Sequence, residues 1–210
     1  MIFFKRFKNK KVLVTGHTGF KGSWLTIWLK ILGAKVLGIS NGVLTNPSIF
    51  KITKLEKKID SRKVDIRNLK KVKKIFLSFK PDFVFHLAAQ SLVQKSYKSP
   101  LETFETNSLG TLNILEALRG IKKKCTVILI TSDKSYKNLE LKRGYRENDI
   151  LGGLDPYSAS KGSAELIIQS YILRNNQNNL HMEEKIRREQ FYFYIFFQNF
   201  FYLKFVNYFP

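Results

Sequence analysis

Tyr157 and Lys161 lie four residues apart in PYSASKGSAE, a stretch with helical apolar spacing, so the two side chains share one face. An ammonium beside a phenol favours the phenolate and lowers its pKa, which makes tyrosine a usable base near neutral pH. A second reactive group, Ser132, Asp133 and Lys134, follows directly on the apolar run TVILI. The hydroxyl can hydrogen-bond an alcohol undergoing oxidation. The neighbouring carboxylate and ammonium exceed what a plain oxidation needs. They suit a dehydration, in which one group removes a carbon-bound proton and another protonates the leaving hydroxyl. The alternative for Ser132–Lys134 is a solvated turn with a local ion pair, and for Tyr157–Lys161 a surface pair.

A third constellation, VLVTGHTGFKGSWL, sets Gly16, Gly19 and Gly22 between a strand-like and a helix-like run, with Phe20 inside the loop. Glycines there allow a sharp turn, close approach of backbone N–H groups to a pyrophosphate, and helix-on-strand packing. The helix N-terminus favours the anionic phosphates. The spacing is G-x-x-G-x-x-G rather than the more usual G-x-G-x-x-G. NAD is the expected dinucleotide, although Ser40-Asn41 stands where an acid would bind the ribose 2′-hydroxyl, and no Arg stands beside it for a 2′-phosphate. Asp65, followed by Ile66 in VDIR, either accepts from the adenine amino group or caps a nearby helix. Leu87, Ala88 and Ala89 end a strand with small side chains that let a cofactor cross the sheet edge, or simply pack in the core.

These groups need a scaffold that brings them together. Strand-like runs at 11–15, 35–40, 63–66, 82–89 and 126–131 alternate with helix-like stretches after Gly22, at 69–80, at 103–120 and at 156–175. Repeated strand–helix order predicts an α/β fold, a Rossmann-like doubly wound parallel sheet over residues 1–175. In such sheets ligands bind at the carboxyl ends of the strands, where Ser132–Lys134 falls.

The net charge of +21 raises the possibility of nucleic acid, but the basic residues come in scattered clumps without a recognition motif. The expectation is no specific nucleic acid and no membrane, with the positive field attracting a phosphorylated ligand. One Cys and three His offer neither a disulfide framework nor metal-ligand spacing, and a cytoplasmic protein is expected. The start, MIFFKRFKNKK, lacks the apolar run of a signal peptide.

Beyond residue 175 the composition changes, and the final 20 residues hold 12 aromatics. Residues 176–210 are taken first as out-of-frame translation, since TTT- and TAT-rich DNA encodes Phe and Tyr. A packed extension and a membrane segment are the other readings.

Together VLVTGHTGFKGSWL, VFHLAAQSLVQKSY, ETNSLGTLNILEA, TSDKSYKN and GYRENDILGGLDPYSASKG resemble the extended short-chain dehydrogenase/reductase superfamily. Within it they look like the CDP-glucose 4,6-dehydratases, whose sister enzymes on dTDP- or GDP-sugars carry Thr-Asp-Glu where this chain has Ser132-Asp133-Lys134. The resemblance implies conversion of CDP-glucose to CDP-4-keto-6-deoxyglucose with cycling NAD, for deoxysugars of surface polysaccharides such as O-antigen. Tyr157, helped by Ser132 and Lys161, would take the 4-hydroxyl proton, and Asp133 with Lys134 would expel water across C5–C6. It also implies a homodimer built through helices near 103–118 and 157–173. Family members continue for about as many residues again, into a domain that grips the nucleotide sugar. The expectation is therefore a truncated dehydratase with an unpaired sheet edge after Lys161. The alternatives are a nucleotide-sugar epimerase, another sugar dehydratase, or a non-catalytic dinucleotide-binding fragment.

Overall fold

Short apolar runs bounded by charged residues and glycines form the strands. The computed structural model describes residues 6–146, 148–177 and 203–208. Five parallel strands, β1 (Lys11–Thr15), β2 (Lys35–Ser40), β3 (Asp60–Lys63), β4 (Phe83–His86) and β5 (Cys125–Ile130), lie in the order β3-β2-β1-β4-β5. The order reverses between β1 and β4, which opens a crevice at their carboxyl ends. The helices are α1 (Phe20–Ile31), α2 (Ile49–Ile52), α3 (Leu69–Phe79), α4 (Val93–Lys98), α5 (Pro100–Phe104), α6 (Gly110–Leu118) and α7 (Pro156–Gln177). The predicted Rossmann-like sheet is the observed one.

Both sheet faces are covered, so the central strands are apolar at nearly every position. Leu13, Leu37, Val84, Val127 and Leu129 pack on one face against Val72 and Phe76 of α3, Ile114 and Leu118 of α6, and Ile168 of α7. Val12, Val14 and Val36 pack on the other against Phe7 and Leu29 of α1. The amphipathic α3 begins where the Asn68 side chain accepts from Lys71 N at 3.0 Å. It ends at Lys80 in the left-handed region, just before Pro81.

Three expectations shift. The third strand lies at Asp60–Lys63, earlier than 63–66, because the chain bends at Asp65, whose carboxylate accepts from Arg67 N at 2.9 Å. The predicted helix 103–120 is interrupted: a π-turn at Glu105–Leu109 separates α5 from α6. The unpaired edge is also corrected. A sixth strand, β6 (Leu203–Tyr208), pairs antiparallel along the whole of β5, Cys125 opposite Tyr208 and Ile130 opposite Leu203. The open edge of β5 carries backbone donors and acceptors that demand partners, a requirement that side-chain periodicity does not report. The readings placed on residues 178–202 lie outside the described residues. No helix among the described residues is long and apolar enough to cross a membrane.

Candidate active site

The glycine loop is built so that its backbone faces the crevice. Gly16 has φ +73, and a Cβ there would lie 2.8 Å from Ala88 N, so only glycine lets β1 run this close to the end of β4. A Cβ on Gly22 would collide with Gly16 O, so α1 can begin directly over the turn only if this position is bare. Gly19 is the N-cap of α1 and no side chain caps that end, while Phe20 begins the helix with its ring exposed. The result is a cradle of backbone without Cβ atoms at a helix N-terminus, which fits a dinucleotide pyrophosphate. Leu87, Ala88 and Ala89 stand beside it, half-buried, and Ala88 N donates to Thr15 Oγ1 at 3.0 Å.

The adenosine side differs from expectation in detail. The Asp65 carboxylate accepts from the Arg67 guanidinium at 2.7 Å and is held below the usual carboxylate range by that bond. The cap of α3 is Asn68, not Asp65. Ile66 is buried in the core, where its δ-methyl fills the space that a Cβ on Gly110 would need.

The reactive side chains converge across the β5–α7 junction. Ser132 lies two residues beyond the end of β5 and caps a single tight turn, Asp133–Ser135, in which Lys134 N donates to Ser132 Oγ at 3.2 Å. The Ser132 hydroxyl donates to Asp133 Oδ1 at 3.0 Å and stands near enough to the Tyr157 phenol to act on it. Burial pushes the Tyr157 phenol above its ordinary value, the Ser132 bond opposes this, and the Asp133 and Asp155 charges add to the rise. Here the structure differs from the sequence reading: burial, not a lysine charge, dominates the phenol in the ligand-free chain. Lys161 lies buried four residues on, and burial pulls its ammonium down to about 8, with Glu165 opposing and Lys21 assisting. The structure thus brings Ser132, Asp133, Tyr157 and Lys161 together. Lys134 is adjacent in the turn, but its side chain is exposed.

A buried hydrogen-bond chain behind these groups escaped the sequence reading. Thr111 donates to Asn107 O at 2.6 Å, so it accepts from His86 Nε2 at 3.1 Å. His86 Nδ1 is then bare and accepts from Thr15 at 2.7 Å, while Thr15 accepts from Ala88 N. Asn107, set by the π-turn, clasps the backbone of Gln90 and donates to Ser160 Oγ at 2.9 Å; Ser160 in turn donates to Tyr157 O at 2.7 Å. The strand end beside the glycine cradle and α7 are thereby tied to one frame. Glu165, buried and accepting from Thr131 Oγ1 at 2.5 Å, was also missed. Its spacing was a legible signal, since it follows Lys161 by the same four residues that separate Lys161 from Tyr157.

A doubly wound sheet with a glycine cradle at its switch point and a Ser–Tyr–Lys group beside it defines a dinucleotide-dependent class of protein. Residues 13–183 match the model of the GDP-mannose 4,6 dehydratase family, and the chain belongs to that family. The CDP-glucose 4,6-dehydratase of Salmonella typhimurium is 48% identical over 164 residues, 78% of this chain and 46% of the relative. The dTDP-D-glucose 4,6-dehydratase of Dictyostelium discoideum is 32% identical, covering 77% of this chain and 40% of the relative. Among solved structures, the UDP-glucose 4-epimerase of Thermus thermophilus in complex with NAD aligns with TM-score 0.61 and 30% identity, over 80% of this chain and 51% of that one. The UDP-glucose 4-epimerase of Thermotoga maritima with UDP-glucose gives TM-score 0.66 and 28% identity, over 78% and 51%. The chain spans about half the length of these relatives or less.

Proposed function

We propose that residues 11–175 form the cofactor-binding and proton-transfer half of a CDP-glucose 4,6-dehydratase that uses NAD. The observation that carries this reading is the convergence of Ser132, Asp133, Tyr157 and Lys161 beside the glycine cradle, with Lys134 next in the turn. The backbone of Gly16, Gly19 and Gly22 would hold the pyrophosphate. A bound nicotinamide would supply hydride acceptance from sugar C4 and hydride return to C6. Tyr157 takes the proton of the 4-hydroxyl, with Ser132 bonded to the same oxygen and the Lys161 ammonium favouring the phenolate. The resulting 4-keto group acidifies the C5 proton. Asp133 and Lys134 then divide the elimination, one removing that proton and the other protonating the departing 6-hydroxyl, so that water leaves across C5–C6. Asp133, whose charge acts on the Tyr157 phenol, is assigned as the acid toward the 6-hydroxyl. The product is CDP-4-keto-6-deoxyglucose, a precursor for surface-polysaccharide deoxysugars, made in the cytoplasm.

CDP-glucose is preferred over dTDP- and GDP-sugars because Lys134 stands where those enzymes resemble one another in carrying Glu. The test joins residues 1–175 to the remaining part of the Salmonella typhimurium relative and supplies NAD and CDP-glucose. A 4-keto-6-deoxy product, lost in Tyr157→Phe, is expected. Formation of a CDP-hexose epimer without loss of water would favour an epimerase instead.

A further inference from the structure

In a parallel sheet every strand starts at the same end, so the residues that precede the strands meet in space however far apart they lie in sequence. Here those residues are lysines. Lys8 and Lys10 lead into β1, Lys35 begins β2, and Lys58, Lys80 and Lys122 stand just before β3, β4 and β5. The register sets them side by side. Lys11 lies opposite Lys35, Lys35 N donates to Lys10 O at 2.8 Å, and β3 enters opposite Leu37, which brings Lys58 near the level of Lys35. Asp82 N donates to Lys11 O at 2.8 Å and Asp82 O accepts from Thr126 N at 2.9 Å, which carries the row across β4 to β5. All of Lys8, Lys10, Lys35, Lys58, Lys80 and Lys122 are exposed, and none forms an ion pair among the described residues. The nearby acids are already engaged, Asp82 by Lys123 and Glu116 by Arg119 and Lys73. The carboxyl ends of the strands carry mixed charge instead, with Asp65 and Asp133 among Lys63, Arg67 and Lys134. Clumps that look scattered in the linear sequence are thus one basic surface, at the far end of the strands from the crevice. Apolar groups border it. Ile31, the last residue of α1, is 76% exposed, and Leu77, near the end of α3, is 50% exposed. Gly33 O accepts from Asn9 N at 2.9 Å, and a Cβ on Gly120 would lie 3.4 Å from Leu77, so both side chains belong to this end. Residues 1–5, outside the described ones, read MIFFK and lead into the same end at Arg6.

We infer that this end of the sheet docks on an anionic lipid surface, the lysines facing acidic headgroups and the bordering apolar side chains entering the headgroup layer. Aliphatic side chains set among lysines suit such a layer better than the polar base edges of a nucleic acid. Each lysine held near an anionic bilayer strengthens binding about fivefold, so the row gives reversible attachment without any spanning helix. The inference is independent of the proposed reaction. Docking by this end leaves the crevice, at the opposite end of the strands, open to solvent.

The test is flotation of the 210-residue chain with phosphatidylcholine vesicles, with and without phosphatidylglycerol, at low and high salt. Binding is expected to the anionic vesicles only, and to be lost at high salt. Lys10→Glu, Lys35→Glu and Lys122→Glu together should weaken it by about a hundredfold or more. A matched triple, Lys63→Glu, Lys98→Glu and Lys142→Glu, alters the same charge on segments at or after the carboxyl ends of β3, β4 and β5, and should change binding less than about fivefold. Ile31→Ser with Leu77→Ser should weaken it about tenfold. All these positions are exposed, so the fold is not at stake. No binding to anionic vesicles, equal binding to neutral ones, equal loss in the two triples, or unchanged affinity in the Ile31–Leu77 pair would each overturn the inference. Tighter binding of duplex DNA, lost in the first triple alone, would assign the surface to nucleic acid and overturn it as well.

Discussion

Lys161 is the side chain whose state the fold changes most among the candidate catalytic groups. Its buried ammonium is drawn down to about 8, with Glu165 holding it up and Lys21 pressing it further down. The sign for stability follows from linkage. Between pH 8 and its ordinary value near 10.5 the unfolded chain binds the proton and the folded chain does not, so this group makes the fold gain stability as pH rises through that window. Below pH 8 the folded state carries the full cost, about 3 kcal/mol at 1.36 kcal/mol per pKa unit. Lys161→Met should therefore be more stable than wild type at pH 7, and the advantage should fade by pH 10, as read by urea unfolding across that range. Burial pushes the Cys125 thiol up to about 12, which acts in the opposite direction above pH 9, but equally in both proteins, so the difference isolates Lys161. Tyr157 and Lys161 were legible as a pair from spacing alone. Burial as the dominant influence on both was not, because it arises from β5 and α7 packing together across the intervening residues 131–155.

At the scale of elements, the frame linking β4, α6 and α7 depends on His86. Burial pulls its imidazole down to about 3, and it works as a neutral donor–acceptor between Thr15 and Thr111. Such a histidine contributes stability above about pH 6.5 that is lost as pH falls toward 3, because the unfolded chain takes up a proton that the folded chain refuses. His86→Gln, which keeps a donor and an acceptor, is expected to flatten the loss of stability between pH 6.5 and 4, measured by urea midpoint. His86→Ala should cost about 1–3 kcal/mol at neutral pH by leaving both threonines short of a partner. The sequence shows His86 only as a lone polar residue in an apolar strand. Its partners come from elements 71 and 25 residues away, a juxtaposition that only the sheet order creates. The strands and long helices, by contrast, were legible because alternation and helical spacing are local. The π-turn at Glu105–Leu109 and β6 were not, since one is imposed by packing and the other by an edge in need of backbone partners.

Across the whole molecule, the parallel sheet supplies a crevice and two covered faces, while the helices on the α5–α7 side leave apolar side chains in solvent. Leu109 and Leu166 are 50% and 57% exposed on the segments expected from the sequence to form a dimer. The account predicts self-association through this side. Leu109→Asp with Leu166→Asp should shift sedimentation toward monomer without moving the circular dichroism spectrum, since both positions face solvent.

The central claim is that the Ser132–Lys134 turn performs an elimination rather than a simple oxidation. The direct measurement runs the fused enzyme described above on CDP-glucose in D2O and weighs the sugar product. Removal of the C5 proton by the Asp133–Lys134 pair, followed by reprotonation from solvent, predicts loss of water and one carbon-bound deuterium. A product without carbon-bound deuterium, or one that retains all its hydroxyl oxygens, would contradict that claim.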